Sequence, residues 1–336
     1  MNKFQNFLKQ KDNSFIPIWF MRQAGRYLPE FRKIRKENPN FIDLCLNSRL
    51  SSEITLQPIK RFNVDAAIIF SDILMVPYAL DQNVVFEKKI GPVLSDFNIE
   101  NFLKNNKLDF INKLNPVYEA IRITRKNLDK KKSLIAFVGA PWTLLIYMFG
   151  LKTKEDKLDI DKYNKKISEI NIVLDKLIEY LKFHIKKQVD AGADVVQIFD
   201  SWAGLIPDDK INKYCYQPNL ELFNFCLEKN IPTILFPKGI NNKYLEFVNV
   251  VKPQIINIDY NLNPEWAAEK LNGVCIQGGM NPSILLQDEK EIFKEAERYL
   301  KIFKDYPYIF NLGHGLLPET NPDKVSKLIK FVRDYR

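Results

Sequence analysis

Residues 18–35, which read IWFMRQAGRYLPEFRKIR, contain the unit from which the rest of the fold can be predicted. The four apolar residues at 18–21 are typical of a short buried strand. Gly25 permits a tight turn, and Pro29 is suited to the first turn of a helix. The stretch therefore predicts a strand, a polar turn and a helix in succession.

The turn in this stretch is rich in cations. Arg22, Gln23 and Arg26 lie between the predicted strand and helix, and Arg35 follows on the helix. Guanidinium groups bind carboxylates through two parallel hydrogen bonds, so several arginines on one loop indicate a ligand with more than one carboxylate or phosphate. A set of structural ion pairs is the alternative, because such networks also collect arginines.

Short apolar or β-branched runs recur along the chain, with helical patterns between most of them. They lie at residues 17–21, 66–70, 134–138, 195–199, 233–236, 255–258, 274–277 and 308–311. Strands that alternate with helices predict a parallel sheet with helical crossovers. Eight such units predict an α/β fold, a (β/α)8 TIM barrel, although an open doubly wound sheet produces a similar local pattern.

The predicted barrel carries additions but no linker. Residues 84–87 and 90–94, inside the long connection 71–133, predict an inserted hairpin, and extra helices are expected at the N-terminus. The length is also compatible with two domains. Because no Gly/Ser-rich, low-complexity or repeated segment divides the chain, we predict a single domain over residues 1–336.

The composition is that of a soluble globular protein, with 46% hydrophobic and 27% charged residues. Residues 1–12 lack an apolar core segment, and no apolar run approaches the roughly 18 residues of a membrane span, so we expect a cytoplasmic protein without a signal peptide. The net charge of +9 comes mainly from scattered lysines, which indicate a solvated surface rather than a nucleic-acid site. Four widely spaced cysteines and only two histidines disfavour a metal site.

Polar, small or turn-forming residues follow almost every predicted strand. These segments are 22–26, 71–72, 139–142, 200–204, 237–239, 278–282 and 313–315. In a barrel they converge on one mouth, where the active sites of this fold lie. Asp72 is a candidate catalytic residue there, because it lies between two apolar segments. Capping of the next helix, or pairing with Arg22 or Arg26, is the alternative for this carboxylate.

Three further residues of these regions are candidates for ligand contact. Tyr147 follows a predicted helix start, and packing in the core is its alternative role. Ser201 follows a strand, and capping a helix is its alternative role. His314 lies between Gly313 and Gly315, which allow the backbone to approach a ligand closely.

Five segments together resemble uroporphyrinogen decarboxylase. Residues 17–30 resemble the N-terminal signature of that family, and residues 137–147 resemble its other diagnostic segment. Residues 70–74, 199–204 and 311–315 also fit, and all five occur in the expected order. The resemblance extends over nearly the whole chain.

The resemblance implies a homodimeric barrel that converts uroporphyrinogen III to coproporphyrinogen III in haem biosynthesis, by removing carbon dioxide from four acetate side chains. It implies that no cofactor is needed, while the composition and the Cys and His patterns above predict no metal, nucleic acid or membrane as a partner. The substrate-binding positions that it implies are Arg22, Gln23, Ala24, Gly25, Arg26, Arg35, Asp72, Tyr147, Ser201 and His314. Asp72 and Arg22 are the implied catalytic residues, with Asp72 as the stabiliser of the transition state.

The chemistry of this reaction explains the residue types. Loss of carbon dioxide needs an electron sink, which the protonated pyrrole of the substrate itself can provide. Asp72 is expected to accept hydrogen bonds from pyrrole N–H groups and to stabilise the cationic ring. Arg22 and Arg26 are expected to orient the carboxylates, and the proton is expected to come from an arginine-bound water or from a neighbouring group.

The sequence departs from the family pattern at two places, and three other functions are alternatives to the one that the resemblance implies. Residues 148–152 replace most of a glycine-rich, acidic loop that the family usually has, and Asn281 stands where Asp is common. A zinc-dependent corrinoid methyltransferase needs an H-x-C element, which is missing after His184 and His314. A tetrapyrrole carrier would not require Asp72, and a nucleic-acid binder would show strongly salt-dependent binding.

Overall fold

Seven parallel strands form one curled sheet in the structure, a computed structural model that describes residues 7, 15–87 and 90–335. These strands are β1 (Ala66–Ile68), β4 (Ser133–Gly139), β5 (Val195–Asp200), β6 (Thr233–Pro237), β7 (Ile255–Ile258), β8 (Cys275–Gly278) and β9 (Tyr308–Ile309). Each pairs in parallel with the next one in this series. Two further strands, β2 (Val84–Glu87) and β3 (Gly91–Leu94), form an antiparallel hairpin, as predicted.

Helices connect the strands and surround the sheet. They are α1 (Pro29–Glu37), α2 (Phe41–Leu46), α3 (Ser48–Phe62), α4 (Met75–Ala79), α5 (Ile99–Lys104), α6 (Lys107–Asn127), α7 (Pro141–Met148), α8 (Ile160–Asp190), α9 (Gln217–Glu228), α10 (Tyr244–Val251), α11 (Pro264–Lys270), α12 (Glu289–Ile302) and α13 (Pro322–Asp334). Shorter helical turns lie at Ala203–Leu205, Asp208–Lys210, Asn212–Tyr216, Asn241–Lys243 and Pro282–Leu286.

The longest helix, α8, shows why these crossovers pack as they do. Its N-terminus is capped by Asp159, whose side chain accepts a hydrogen bond from the backbone N–H of Lys162. One face is apolar and buried, comprising Ile170, Val173, Leu174, Leu177 and Leu181. The three- and four-residue spacing of this face matches the helical period, so α8 packs against α6, α7 and β4.

The order of the strands distinguishes the two folds that periodicity left open. A doubly wound sheet reverses its strand order at a switch point. Here the order in the sheet follows the order along the chain from β1 through β4 to β9, without a reversal. The doubly wound alternative is therefore wrong.

The prediction of a sheet strand at residues 17–21 is also wrong. Ile18 forms only an isolated parallel bridge with Phe310. Pro17 has no N–H, although its carbonyl accepts from Phe310 N at 2.8 Å. The N–H of Ile18 is taken by the Asp65 carboxylate at 2.9 Å, while the Ile18 carbonyl accepts from Asp65 N. The segment thus contacts each edge of the sheet at one residue, Phe310 or Asp65, rather than through a strand ladder.

Two predictions concern the N-terminal segment. Residues 1–6 and 8–14 lie outside the described residues, so the absence of a signal peptide and any extra helix within that segment stay predictions. The helices α1 to α3 lie between that segment and β1. Over the described ranges, none of the helices combines the length and apolar character that a membrane crossing requires.

Candidate active site

The segments that follow the strands are joined to one another at the carboxyl edge of the sheet. Ala140 N donates to the carbonyl of Phe199 at 2.8 Å, and Lys238 N donates to the carbonyl of Asp200 at 3.1 Å. Gly313 N likewise donates to the carbonyl of Met280 at 2.8 Å. These bonds hold adjacent loops together, so the sequence prediction that their side chains share one region has a structural basis.

Gln23 anchors the arginine loop from inside the protein. Its side chain is 1% exposed, accepts a hydrogen bond from Phe20 N at 3.0 Å and donates one to the Ala66 carbonyl at 3.0 Å. Tyr27 Oη donates to the Gln23 carbonyl at 2.8 Å. The Gln23 amide nitrogen therefore attaches the loop to β1, while its oxygen closes the turn onto Phe20. The predicted substrate contact of Gln23 stays a prediction.

Arg22 projects from this anchored loop into the region that the other loops share. Its backbone has a positive φ of 58°, and its side chain lies directly against Gly315. A Cβ atom at Gly315 would be 2.4 Å from Arg22 Cδ, so the side chain requires glycine there. The Arg22 charge lowers the pKa of Asp72, Tyr147 and His314, which shows that all three lie near it.

Arg22 and Arg26 form no ion pair with any carboxylate among the described residues. Both side chains are exposed. The alternative that the sequence left open, a set of structural ion pairs, is therefore wrong for these two arginines. Their positive charges stay available for an anionic ligand.

Arg35 lies on α1, within electrostatic range of Arg26 in the preceding loop. Its guanidinium carbon is 5.5 Å from the centre of the Phe41 ring, and it donates a hydrogen bond to the Asn38 carbonyl. Burial, together with the nearby Arg26 charge, lowers the pKa of Arg35. Burial raises the pKa of the Cys45 thiol, the Asp72 charge raises it further and the Arg35 charge lowers it, so both charges lie within electrostatic range of α2.

Asp72 is a half-buried carboxylate at the end of the segment that follows β1. Its Oδ1 accepts a hydrogen bond from Leu74 N at 2.9 Å. Burial raises the pKa of Asp72 to about 6, although the Leu74 hydrogen bond and the Arg22 charge each lower it. The hydrogen bond from Leu74 N occupies Oδ1 alone. Oδ2 accepts no hydrogen bond from the part of the chain that the structure describes. One oxygen is thus left for a ligand.

Tyr147 lies on α7 and packs against Trp202. Their ring centres are 6.3 Å apart with the planes at 66°. Burial raises the pKa of Tyr147, and the neighbouring Asp72 charge raises it further. The phenol is therefore neutral at physiological pH and lies close to Asp72.

Ser201 immediately follows β5 and is half-buried. The helical turn Ala203–Leu205 begins after Trp202 and has no side-chain cap. The capping role that the sequence left open for Ser201 is therefore wrong. Phe137 and Phe199, whose ring centres are 5.6 Å apart, are partly exposed at the ends of β4 and β5.

His314 lies within electrostatic range of two cations, Arg22 and Lys238. Burial lowers the pKa of His314 to about 3, and the charges of Arg22 and Lys238 contribute in the same direction. The preceding Gly313 is in close contact with the next loop, since a Cβ atom there would be 2.3 Å from Tyr260 N. The imidazole is consequently a neutral hydrogen-bonding group held by a tightly packed backbone.

The sequence analysis missed a buried carboxylate behind the site. Asp200 Oδ1 accepts from Thr143 Oγ1 at 2.8 Å, and Oδ2 accepts from Asn219 Nδ2 at 3.3 Å. Thr143 Oγ1 in turn accepts from Trp202 N at 3.1 Å. Burial raises the pKa of Asp200 to about 6. The available signal was its place directly after a strand, within the segment 200–204.

The cysteines are buried thiols, and the other histidine, His184, lies in the core. Cys45, Cys215 and Cys226 are buried thiols, and burial raises the pKa of Cys226 to about 11. His184 accepts or donates a hydrogen bond with Tyr118 Oη at 3.0 Å within the core. Over residues 7, 15–87 and 90–335, no three acidic, histidine or cysteine side chains are grouped as metal ligands.

Comparisons with known proteins agree with this geometry. The sequence model of the family described as uroporphyrinogen decarboxylase matches residues 1–335. Uroporphyrinogen decarboxylase of Rickettsia bellii is 41% identical over 98% of this chain and 97% of its own length. The corresponding protein of Orientia tsutsugamushi is 40% identical over 100% of this chain and 99% of its own length.

Among solved structures, a methyltransferase from Methanosarcina mazei superposes with a TM-score of 0.75 and covers 90% of both chains. At 16% identity this likeness shows a shared fold alone. The family match and the full-length relatives carry the assignment. The chain therefore belongs to the uroporphyrinogen decarboxylase family and is an enzyme of that kind, a decarboxylase of tetrapyrrole biosynthesis.

Proposed function

We propose that this protein converts uroporphyrinogen III to coproporphyrinogen III, with Asp72 as the central catalytic residue. One observation carries the proposal. Asp72 is a desolvated carboxylate with one oxygen free of hydrogen bonds from the described residues, and it lies beside an arginine that has no carboxylate partner among them. This combination suits a ligand that is cationic at its centre during reaction and anionic at its edges.

The reaction requires an electron sink for the electron pair of the carbon–carboxylate bond that breaks. Protonation of a pyrrole ring carbon next to the acetate-bearing position converts the ring to a cation. The carbon–carboxylate bond then breaks, carbon dioxide leaves, and the bonding electrons neutralise the ring. A proton adds to the resulting exocyclic methylene group, and the ring carbon loses its added proton, so each cycle consumes one proton and leaves a methyl group.

Asp72 stabilises the cationic ring in this scheme. With a pKa of about 6, the carboxylate is mostly ionised above pH 7. Leu74 N holds Oδ1, which orients Oδ2 toward the pyrrole N–H groups before the substrate binds. A preoriented charge in a water-poor site contributes on the order of 3 kcal/mol or more to catalysis.

The other predicted residues bind the periphery of the ring. Arg22 and Arg26 take carboxylates, and Arg22 also orients the water that delivers the proton. Arg35 takes a further carboxylate next to Arg26. Ser201 and His314 supply neutral hydrogen bonds, which is consistent with the low pKa of His314.

Tyr147 donates a hydrogen bond from a phenol that stays protonated. Ala24 and Gly25 offer backbone groups on the same turn as Arg22 and are only partly buried. Gln23 keeps this turn attached to β1 through its hydrogen bond to the Ala66 carbonyl and holds the turn together through the bond from Phe20 N. Its substitution should therefore displace the arginines as well as remove any direct contact.

We also propose that the curled sheet belongs to a closed (β/α)8 barrel that forms a single domain over residues 1–336. The hydrogen bonds of Pro17 and Ile18 to Phe310 and Asp65 support closure between the two edge strands. A homodimer, which the family resemblance implies, and a cytoplasmic location, which the sequence composition predicts, both stay predictions.

The activity is tested with purified protein and reduced uroporphyrinogen III under anaerobic conditions, without added metal or cofactor. We expect carbon dioxide and coproporphyrinogen III as products. Asp72→Asn should retain much of the substrate binding but lower turnover by about 100-fold or more. Asp175→Asn, at an exposed position of α8, is the matched control and should leave turnover unchanged. No product from the unsubstituted protein would overturn the proposed function.

A further inference from the structure

Lys238 is a half-buried lysine at the carboxyl end of β6 that no step described so far uses. Its Nζ lies 5.9 Å from the centre of the Trp202 ring. It forms no ion pair with any carboxylate of the described residues. A partly buried ammonium without an anionic partner is costly, so the position needs an explanation.

The backbone at Lys238 is firmly held. Its N–H donates to the Asp200 carbonyl at 3.1 Å, and its own carbonyl accepts from Gly204 N at 3.0 Å. The next residue, Gly239, has a φ of 85° and donates its N–H to the Asp259 carboxylate at 2.8 Å. The side chain therefore starts from a fixed point at the carboxyl edge of the sheet.

The surroundings of Lys238 connect it with the candidate active site. Trp202, whose ring lies below its ammonium group, also packs against Tyr147. Lys238 and Arg22 both lower the pKa of His314, so the two cations lie near the same imidazole. Arg22 arises from the loop before α1 and Lys238 from the end of β6. Two cations from distant parts of the chain thus lie within electrostatic range of one neutral histidine.

We propose that Lys238 binds a peripheral carboxylate of the substrate that lies apart from those held by Arg22, Arg26 and Arg35. This inference rests on the proposed function, because it takes the substrate to be a tetrapyrrole with carboxylates all around its edge. The three arginines all come from the segment 22–35, whereas Lys238 comes from the end of β6. Lys238 supplies a compact positive charge at a position that segment does not provide.

The test measures binding separately from turnover. Uroporphyrin, the oxidised ring with the same carboxylates, is titrated against the full-length protein, and binding is followed by quenching of tryptophan fluorescence. We expect Lys238→Met to weaken binding by about tenfold at low ionic strength, since a charged hydrogen bond is lost. Lys238→Arg should restore binding to within about threefold of the original. The salt dependence of binding should be smaller for Lys238→Met.

Lys229→Met is the matched control, because Lys229 also lies over an aromatic ring, at 4.9 Å from the centre of Phe225, but at the end of α9. Its affinity should equal that of the unsubstituted protein. In the decarboxylation assay, Lys238→Met should raise KM while kcat stays within about threefold. A purely structural lysine would not produce this split, nor rescue by arginine.

Three results would overturn the inference. They are an unchanged affinity in Lys238→Met, an equal loss in Lys229→Met, and no binding of uroporphyrin by the unsubstituted protein. If Lys238→Met does not fold, as judged by circular dichroism, the comparison of Lys238→Arg with Lys238→Gln replaces it. A protein that binds uroporphyrin through Lys238 but forms no coproporphyrinogen would refute the proposed function and leave this inference standing.

Discussion

The substitution Asp72→Asn should stabilise the protein while it removes activity. Burial raises the pKa of Asp72 from 3.8 to about 6, so the folded protein holds this proton more tightly than the unfolded chain does. Stability therefore decreases as the pH rises through the interval between these two values. Above pH 6 the folded protein carries a desolvated charge that the unfolded chain keeps in water.

The size of this effect follows from the shift. One pKa unit corresponds to about 1.4 kcal/mol, so the ionised carboxylate lowers the free energy of unfolding by about 3 kcal/mol at pH 8. The introduced amide has nearly the same shape as the carboxylate, and its oxygen can accept the hydrogen bond from Leu74 N that Oδ1 accepts at 2.9 Å. We expect the substitution to recover most of this free energy at pH 8 and almost none of it below about pH 4.

Urea unfolding at pH 8 and at pH 5 checks this expectation, with Asp175→Asn on the exposed face of α8 as the control. The midpoint for Asp72→Asn should lie above that of the unsubstituted protein at pH 8, and the difference should shrink at pH 5. Equal or lower stability of Asp72→Asn at pH 8 would refute the argument that this carboxylate is desolvated in the folded protein.

Two further predictions concern the same site. Gly315→Ala should raise KM by about tenfold without unfolding the protein, because a Cβ atom 2.4 Å from Arg22 Cδ must displace that side chain; steady-state kinetics with circular dichroism test this, and unchanged kinetics would contradict it. Nitrogen NMR should show both histidines neutral at pH 5.5, since burial lowers the pKa of His184 and of His314 to about 3. A titration of either imidazole between pH 6 and 7 would show that it is not desolvated.

Local patterns were sufficient for most of the secondary structure. The apolar runs that follow one another along the chain became β1 and β4 to β9, and the hairpin of β2 and β3 formed where alternation predicted it. The failure at residues 17–21 has a tertiary cause. Ile18 N bonds to the Asp65 side chain, which no property of residues 17–21 reveals.

The sequence predicted which kinds of residue form the site better than it predicted where each side chain points. Arg22 and Asp72 were identified from their places after predicted strands, and the structure brings them within electrostatic range. Gln23 is the neighbour of Arg22 in the same turn, yet its side chain points inward and donates to the Ala66 carbonyl. Lys238 was not identified, because a lysine after a strand is indistinguishable from the many surface lysines until its neighbours are known.

The sequence by itself therefore determined the order of strands and helices, the polar segments at the strand ends and the resemblance to a family. These are properties of short segments, and periodicity and signature motifs record them directly. Only the tertiary structure decided that Arg22 and Arg26 lack carboxylate partners among the described residues, that Asp72 is desolvated, and that Lys238 lies near His314. Each of these depends on the curvature of the sheet, which brings loops that are distant in the sequence together at its carboxyl edge.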